Sequence, residues 1–318
     1  MVTAKCLRVV FFGTPPFAVP TLERLLASSH QVVGVVTQPD RPRGRGQKTS
    51  YAPVKAYALD AGLPVLQPAT LKDPTAVSEI DALHGDIGVV AAYGKILPEA
   101  ILQTPSRGMI NVHASLLPRY RGAAPVHRAV IAGDIETGVT IMRLVKALDA
   151  GAMLAVKRRP IDPDETSEEV ERDLAQLGAD LLVSTVDRLA RGPILEEPQD
   201  DARATYAPRL TKEEGLVDWS RSAVEIHNLI RGLFPWPHAF TFWRGSRLIL
   251  LRSSPSSGTT HALPGTVITA HNDELRVAAG DDHVQIRELQ AEGKRPMSTR
   301  EFLAGHHIAP GDRFTPRP

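Results

Sequence analysis

The sequence lacks the features that mark membrane-spanning, secreted and disulfide-bonded proteins. No apolar run approaches the roughly 18 residues that a transmembrane helix needs. The short apolar run at residues 7–12 ends in Gly-Thr-Pro-Pro without a cleavage site, so we expect a strand there and no signal peptide. Cys6 is the single cysteine, which excludes internal disulfides and cysteine-based metal sites. These absences predict a cytoplasmic protein.

A strong charge imbalance is also absent. The 37 Lys and Arg against 36 Asp and Glu leave a net charge of +1, and the 42% hydrophobic content is that of a folded soluble chain. A nucleic-acid partner would therefore have to be bound through local basic patches. The length of 318 residues suits two domains, one larger than the other.

The first half of the chain alternates apolar runs with segments of helical spacing. Residues 18–27 and 54–61 have helical spacing. The Val- and Ile-rich runs are predicted strands buried on both faces, at residues 7–12, 31–37, 86–91 and 108–113. This alternation predicts a Rossmann-like α/β domain with a doubly wound parallel sheet.

The end of this domain is indicated by a capping box, a polar segment and a change of pattern. Thr166 and Glu169 have the capping-box spacing, and leucines follow at helical intervals. The polar, proline-bearing residues 191–207 are predicted to be a linker. We therefore expect an N-terminal domain at residues 1–190 and a C-terminal domain at residues 208–318.

The C-terminal part predicts one helix and a small β-barrel. The helix is expected at residues 222–233, and residues 253–260 are predicted to be a loop. Five short alternating segments are predicted strands, at residues 239–242, 247–252, 265–270, 274–279 and 283–289. Strands at this spacing suit a barrel similar to the oligonucleotide-binding fold.

Two strand ends carry candidate chemistry. Gly13 follows the first strand, but Pro15 and Pro16 replace the tight glycine turn of a dinucleotide site, which disfavours a nicotinamide cofactor. Asn111 and His113 share one face at the end of a predicted parallel strand, the edge where open α/β sheets bind ligands. Asp149, after the next predicted strand at residues 139–144, would complete a polar triad if the fold brought it near. Spacing alone favours the simpler interpretation that these three residues cap strand ends and turns.

The loop at residues 115–125 changes that balance, because its prolines and apolar residues could wall a pocket for a flat heterocycle, although an ordinary surface loop is the alternative. Residues 111–125, followed by 137–142 and 148–151, resemble the signature of enzymes that use 10-formyltetrahydrofolate. Further segments resemble the methionyl-tRNA formyltransferase family in particular, at residues 12–15, 37–48, 92–98, 218–219, 234–237 and 293–297.

This resemblance implies transfer of a formyl group from 10-formyltetrahydrofolate to the methionyl amine of the initiator tRNA. It implies that Asn111, His113 and Asp149 are catalytic, and it implies no obligate protein partner. The inventory of histidines separately predicts that no metal is needed. It also implies folate contacts by four neighbouring residues, Ser115, Leu116, Leu117 and Pro118. Lys146, Ala147 and Ala152 depart from the family pattern and leave the shape of the Asp149 loop in doubt.

The residue types suit this chemistry. Amine attack on a formyl carbon builds negative charge on its oxygen, which the Asn111 amide and a protonated His113 could stabilise. Histidine can both accept and give a proton near neutrality, and a carboxylate such as Asp149 would favour the imidazolium and orient its ring. A zinc site formed by His113, His127 and Asp149 is the weaker alternative, because no His-Glu-x-x-His motif is present.

A basic loop is the candidate nucleic-acid contact. Residues 38–48 carry Arg41, Arg43, Arg45 and Lys48 against Asp40, a local net of +3. Such a run is usually a solvated surface loop, but the resemblance implies that it contacts the acceptor arm of tRNA. A basic path could continue over the barrel through five more residues, Lys212, Arg231, Arg244, Lys294 and Arg295.

Two other functions remain open from the sequence. Another formyltetrahydrofolate enzyme would act on a different amine or hydrolyse the folate, and the arginine loop and second domain speak against it. A non-catalytic RNA-binding module would need only the barrel and the basic loop, and the set of Asn111, His113 and Asp149 speaks against that.

Overall fold

The computed structural model describes residues 6–43, 48–258 and 261–317. The chain divides into two compact units. The first consists of Met1–Pro125, Thr137–Arg159 and Glu171–Ala207. The second consists of Val126–Glu136, Pro160–Val170 and Pro208–Pro318.

The secondary structure elements are numbered along the chain. The strands are β1 (Arg8–Gly13), β2 (Gln31–Val36), β3 (Arg41–Arg43), β4 (Lys48–Ser50), β5 (Val65–Leu66), β6 (Ile87–Ala91), β7 (Met109–His113), β8 (Arg121–Gly122), β9 (Glu136–Arg143), β10 (Met153–Pro160), β11 (Tyr206–Ala207), β12 (Ala239–Trp243), β13 (Ser246–Ser256), β14 (Val267–His271), β15 (Glu274–Ala278), β16 (His283–Ala291), β17 (Met297–Ser298) and β18 (Phe314–Thr315). The helices are α1 (Val19–Leu26), α2 (Pro53–Asp60), α3 (Pro74–Asp81), α4 (Glu99–Leu102), α5 (Pro125–Ala132), α6 (Ser167–Arg191), α7 (Ala223–Gly232) and α8 (Thr299–Gly305). Short 3-10 helices lie at Pro16–Ala18, Asp201–Arg203 and Glu213–Gly215.

The first unit is built on a largely parallel sheet, as its sequence predicts. The strand order is β10-β9-β7-β6-β1-β2-β5. The strands β1, β2, β6 and β7 begin and end within a residue or two of the predicted apolar runs, because runs that are apolar on both faces are buried on both faces. β7 pairs in parallel with β6 and antiparallel with β9, so strand direction changes beside β7.

The helix α6 confirms the predicted capping box. The Thr166 backbone N–H donates to Glu169 Oε2 at 2.7 Å, and the Glu169 N–H donates back to Thr166 Oγ1 at 3.4 Å. These reciprocal bonds satisfy two of the backbone donors that the first turn of a helix leaves unpaired. The helix α7 begins with a second capping box, formed by Ser222 and Glu225, inside the predicted range 222–233.

The second unit contains the antiparallel sheet that the short strands predict. The order is β14-β15-β16-β13-β12-β18, with β17 paired to β16. Thr266, just before β14, forms an antiparallel bridge with Arg313, just before β18, so the two ends of the sheet approach each other and it curls as in a partial barrel. Buried apolar residues fill its core, among them Trp219, Ile226, Leu250, Val284 and Phe302.

The loop prediction for residues 253–260 is wrong in its first part. β13 continues to Ser256, because residues as far as Ser256 pair with the beginning of β16, the last pair being Ser256 with His283. Residues 259 and 260 lie outside the described part of the chain.

The segment 191–207, interpreted from the sequence as a linker, is grouped with the first unit and is bonded to it by the backbone. β11 pairs in parallel with β8, with Tyr206 opposite Arg121. Upstream, Met153 and Glu197 exchange backbone hydrogen bonds of 2.8 Å each. These contacts join the segment to β8 and to the start of β10.

Candidate active site

Asn111 and His113 project from one face of β7 at its carboxyl end. Both are buried, with 9% and 5% of their surface exposed. Among the residues that the structure describes, no partner hydrogen-bonds the Asn111 carboxamide. A buried amide of this kind retains donors and acceptors for a ligand.

The His113 ring is held on both sides. Its Nε2 lies 3.0 Å from the carbonyl oxygen of Tyr120, and since a carbonyl can only accept, Nε2 is the donor. Its Nδ1 lies 3.8 Å from Asp149 Oδ2, within ion-pair distance but longer than a hydrogen bond. The structure therefore brings together the three residues that the sequence singles out.

Asp149 occupies a turn of unusual backbone geometry. Its φ is +47°, in the left-handed region that residues with a Cβ seldom adopt. Its Oδ2 accepts a 2.8 Å hydrogen bond from the Gly122 N–H. Gly122 in turn has φ +122°, and a Cβ there would lie 2.8 Å from the carbonyl oxygen of Ala207. Glycine at position 122 thus lets the loop 115–125 reach the Asp149 carboxylate.

The predicted folate residues form a well-bonded loop beside this cluster. Thr140 Oγ1 donates to the Ser115 carbonyl at 2.8 Å and accepts from the Leu117 N–H at 3.2 Å. Ser115 Oγ donates to the Arg119 carbonyl at 2.7 Å. Because Ser115 and Leu117 are themselves buried, they fix the loop shape. Pro118 follows them and its carbonyl accepts from the Thr205 N–H at 3.3 Å.

Leu116 is positioned by close packing against β9. A Cβ on Gly138 would lie 2.5 Å from Leu116 Cδ2 and 2.2 Å from the Lys157 carbonyl oxygen. Only glycine therefore leaves room for the leucine and for the neighbouring strand at this point. A folate role for Leu116 remains a prediction.

The basic loop forms a short hairpin in its described part. β3 and β4 pair antiparallel, with Arg43 opposite Lys48. Arg45 and the side chains of residues 41–50 lie outside the described part of the structure. The tRNA contacts assigned to Arg41, Arg43, Arg45 and Lys48 therefore stay predictions.

The start of this hairpin is anchored to the first unit. Lys55 and Gln67 both donate to the Asp40 carboxylate, and the hydrogen bond from Lys55 holds the pKa of Asp40 below its usual value. Gln67 Nε2 also donates to the Gln38 carbonyl at 2.9 Å. Asp40 is thus engaged at the base of the hairpin.

The suggested basic path over the barrel is wrong at Arg231. This residue is buried, and its guanidinium donates to Asn228 Oδ1 at 2.8 Å and to the Glu165 carbonyl at 3.0 Å. Arg244 and Arg295 are exposed but are paired with acidic partners, Asp312 and Glu301. Lys212 and Lys294 are exposed and have no ion pair with any described residue.

Residues 6–43, 48–258 and 261–317 contain neither a metal-binding cluster nor a membrane-spanning helix. No group of three or more His, Cys, Asp or Glu side chains in these ranges could hold a metal ion. Burial lowers the pKa of His127, the third residue of the alternative zinc site, to about 4. In the same ranges, no helix combines the length and apolar character required to cross a membrane.

The sequence does not indicate the residues that stabilise the loops next to Asn111, His113 and Asp149. Gln199, Thr205 and Ala207 belong to the polar segment interpreted as a linker, and they bond to the loops that carry Tyr120, Gly122 and Asp149. The Tyr120 N–H donates to Thr205 Oγ1 at 2.8 Å, and the Ala123 N–H to the Ala207 carbonyl at 2.8 Å. No periodicity marks such side-chain and loop contacts.

Comparison with known proteins agrees with this fold. Residues 7–186 match the family described as "Formyl transferase", and residues 209–307 match "Formyl transferase, C-terminal domain". These two matches, which together cover both parts of the chain, show that the protein is a formyl-transferring enzyme.

The relatives at higher identity narrow the class. The chain is 49% identical over 309 residues to the methionyl-tRNA formyltransferase of Trichlorobacter lovleyi, covering 97% of each chain. It is 48% identical over 305 residues to that of Citrifermentans bemidjiense, covering 96% of this chain and 95% of the relative. The chain belongs to the methionyl-tRNA formyltransferase family.

Solved structures share the fold at low identity. An N-formyltransferase from Helicobacter canadensis, in complex with folinic acid and dTDP-3-aminofucose, has a TM-score of 0.68 and 18% identity over 88% of this chain and 98% of that one. HypX from Aquifex aeolicus, in complex with tetrahydrofolic acid, has a TM-score of 0.66 and 15% identity over 98% of this chain and 51% of that one.

Proposed function

We propose that this enzyme transfers the formyl group of 10-formyltetrahydrofolate to the α-amine of methionyl initiator tRNA, in the cytoplasm where translation begins. The observation that carries the proposal is the juxtaposition of Asn111, His113 and Asp149, with 3.8 Å between His113 Nδ1 and Asp149 Oδ2. Family membership supports the choice of donor and acceptor.

The reaction is direct attack of the amine on the formyl carbon. Negative charge develops on the formyl oxygen, and the Asn111 amide, which has no hydrogen-bond partner among the described residues, can donate to it in a buried, low-dielectric site. His113, carrying a proton, is the second donor, with its Nε2 hydrogen shared between the Tyr120 carbonyl and the oxyanion. Collapse of the tetrahedral species breaks the bond to the folate nitrogen.

The protons balance without a covalent enzyme intermediate. The methionyl ammonium loses two protons as it becomes the formamide: one is released to water, which leaves the free amine, and the second goes to the departing folate nitrogen. His113 can relay this second proton, because it can give its Nε2 proton to the folate nitrogen and then take up the proton of the attacking nitrogen at the vacated Nε2. Asp149 faces the ring nitrogen opposite the one bonded to Tyr120, so its carboxylate stabilises positive charge on the imidazole and fixes its orientation.

The remaining assignments concern the folate site, the tRNA contacts and the domains. Ser115, Leu116, Leu117 and Pro118 form the folate-binding wall, supported by their packed loop beside the cluster. Arg41, Arg43, Arg45 and Lys48 bind the acceptor arm, supported by the local net charge of the hairpin. We propose two functional domains, residues 1–190 and the tRNA-binding residues 208–318, with residues 191–207 between them. The enzyme needs no metal and no obligate protein partner.

The substitution Asp149→Asn tests the catalytic assignment. It preserves the shape of the side chain and its acceptor for the Gly122 N–H but removes the charge beside His113. We expect kcat for formylation of charged initiator tRNA to fall about 100-fold or more, by analogy with loss of the carboxylate behind a catalytic histidine. The measurement is single-turnover formylation at saturating folate.

The control is Asp60→Asn, an exposed aspartate at the end of α2, which should leave kcat unchanged. A parent rate in Asp149→Asn would exclude the catalytic role. If the parent enzyme formylated a small amine or nucleotide-sugar amine but not charged initiator tRNA, the proposed acceptor would be wrong and the formyl transfer chemistry would stand.

A further inference from the structure

The side chain of Gln199 lies between the Asp149 turn and the buried Arg121. Its Nε2 donates to the carbonyl oxygens of Asp149, at 2.8 Å, and Gly151, at 2.7 Å. Its Oε1 accepts from Arg121 Nε at 3.0 Å and from Arg121 Nη2 at 2.9 Å. All the hydrogen-bonding capacity of this amide is used.

Chemistry determines the orientation of the amide. The guanidinium of Arg121 can only donate, so it must face the amide oxygen, and the two carbonyls can only accept, so they must face the NH2 group. Arg121 is 4% exposed, and its Nη2 also donates to Asp201 Oδ1 at 2.6 Å. If the amide were rotated by half a turn, its NH2 group would face the guanidinium, which also donates. Its oxygen would then face the two carbonyl oxygens, which also accept.

These bonds act on the backbone of Asp149. Its φ of +47° is unfavourable for a residue with a Cβ, so the turn needs support from its surroundings. Gln199 bonds the carbonyls on both sides of Ala150, while the Gly122 N–H holds the carboxylate. A Cβ on Gly151 would lie 1.9 Å from the Arg143 carbonyl oxygen, which shows how closely the turn is packed.

We propose that Gln199 is a positioning residue for the transfer reaction: held in one orientation by Arg121, it fixes the Asp149 turn so that the carboxylate faces His113. This inference rests on the proposed function, because it acts through the catalytic role assigned to Asp149. The Gln199 amide makes all its hydrogen bonds within the protein and retains none for a substrate. It lies in a segment whose polar, proline-bearing sequence gave no sign of such a role.

The test is Gln199→Glu, which keeps an acceptor for Arg121 and replaces the donor by an oxygen facing two carbonyls. We expect kcat to fall about 10- to 100-fold, the usual effect of small misplacement at a catalytic site. KM for folate and for tRNA should change less than about 3-fold, because Gln199 lies behind Asp149 and not in either substrate site. Gln199→Met, which loses both functions without adding charge, should fall in the same range.

The matched control is Gln176→Glu, the same chemical change at an exposed position on α6. It should leave kcat and the thermal midpoint unchanged. Thermal midpoints of all variants show whether the folded fraction is the same at the assay temperature.

A double-mutant cycle with Asp149→Asn separates positioning from loss of folded enzyme. If Gln199 acts through Asp149, Gln199→Glu should lower kcat by less than about 3-fold in the Asp149→Asn background, because sites that act as a unit are not additive. The same 10- to 100-fold loss in both backgrounds would overturn the proposal.

The two hypotheses fail in different ways. A parent-like kcat for both Gln199 variants, with Asp149→Asn impaired, overturns the positioning role alone. A parent-like kcat for Asp149→Asn overturns the catalytic role of Asp149, and the positioning role with it.

Discussion

Two carboxylates, one in each unit, use their hydrogen-bonding capacity differently. Glu169 accepts from Arg252 at 2.7 and 3.2 Å and from the Thr166 N–H and Oγ1 at 2.7 Å each. The pKa of Glu169 is lowered to about 2. The hydrogen bond from Arg252 is the largest cause, and together with the hydrogen bonds from Thr166 it outweighs the desolvation of the carboxylate. Asp149 accepts one hydrogen bond among the described residues, from Gly122, and faces His113 at 3.8 Å.

The difference teaches how to separate stabilising from reactive polar groups. A carboxylate surrounded by donors on all sides can stabilise the fold but has no capacity for a changing partner. The Asp149 side chain is 12% exposed and the Asn111 carboxamide is buried, and both keep part of their hydrogen-bonding capacity unused among the described residues, which is unfavourable for stability and useful for catalysis. Substitution of Glu169 should therefore change the free energy of unfolding, whereas substitution of Asp149 or Asn111 should change kcat.

The largest effect is expected for Asn111→Leu. Removing one oxyanion donor should lower kcat about 100- to 1,000-fold. The free energy of unfolding should stay within about 1 kcal/mol of the parent or rise, because an apolar side chain replaces a buried amide without a described partner. Single-turnover formylation and urea unfolding measure the two quantities.

Asn111→Ser serves as the comparison for that experiment, since it keeps a smaller polar group in the same place. A loss of several kcal/mol in Asn111→Leu would mean that the amide stabilises the fold, and the contrast with Glu169 would disappear.

A smaller effect is expected at the hairpin. Replacing Arg41, Arg43 and Arg45 by alanine should raise KM for tRNA about 10-fold at moderate salt and reduce the salt dependence of binding, because fewer phosphate counterions are released. KM for folate should not change. The corresponding triple alanine variant of the exposed α6 residues Arg172, Arg188 and Arg191 is the control, and equal salt dependence in both variants would remove the hairpin from the interface.

The smallest effect is expected at Glu169. Its folded-state pKa of about 2 lies below the ordinary value of 4.5, so its contribution to stability is present above pH 4.5 and is lost as the pH falls through about 2. Since the ion pair is about one-third exposed, Glu169→Gln should lower the unfolding free energy by only about 1 kcal/mol at pH 7.

Unfolding free energies of the parent and of Glu169→Gln should therefore converge between pH 4.5 and pH 2, and kcat at pH 7 should be equal. Glu168→Gln, the exposed neighbour, should resemble the parent throughout. A kcat loss confined to Glu169→Gln would contradict the division between the two carboxylates.

Apolar runs predict the central strands well and edge elements poorly. β1, β6 and β7 are buried on both faces, so composition alone indicates them. β5 has two residues, and β10, at the sheet edge, carries the exposed Lys157 and Arg158, so neither has a periodic signal. The pairing of β13 beyond Arg252 depends on β16, which local propensity does not contain.

The candidate site divides in the same way. The shared face of Asn111 and His113 follows from strand periodicity. The approach of Asp149 to His113 depends on a turn with positive φ, and that turn depends on Gln199 from a distant segment. Long-range contacts of single side chains leave no local pattern, so the sequence could indicate Asp149 only through family resemblance and did not indicate Gln199.

The hydrogen bonds of residues 199–207 also determine what an isolated catalytic fragment must contain. The match to the formyl transferase family ends at residue 186, and a truncation there or at residue 190 would retain Asn111, His113 and Asp149. It would remove Gln199, which supports the Asp149 turn, and Ala207, whose carbonyl accepts from Ala123. A minimal catalytic fragment should therefore extend through Ala207.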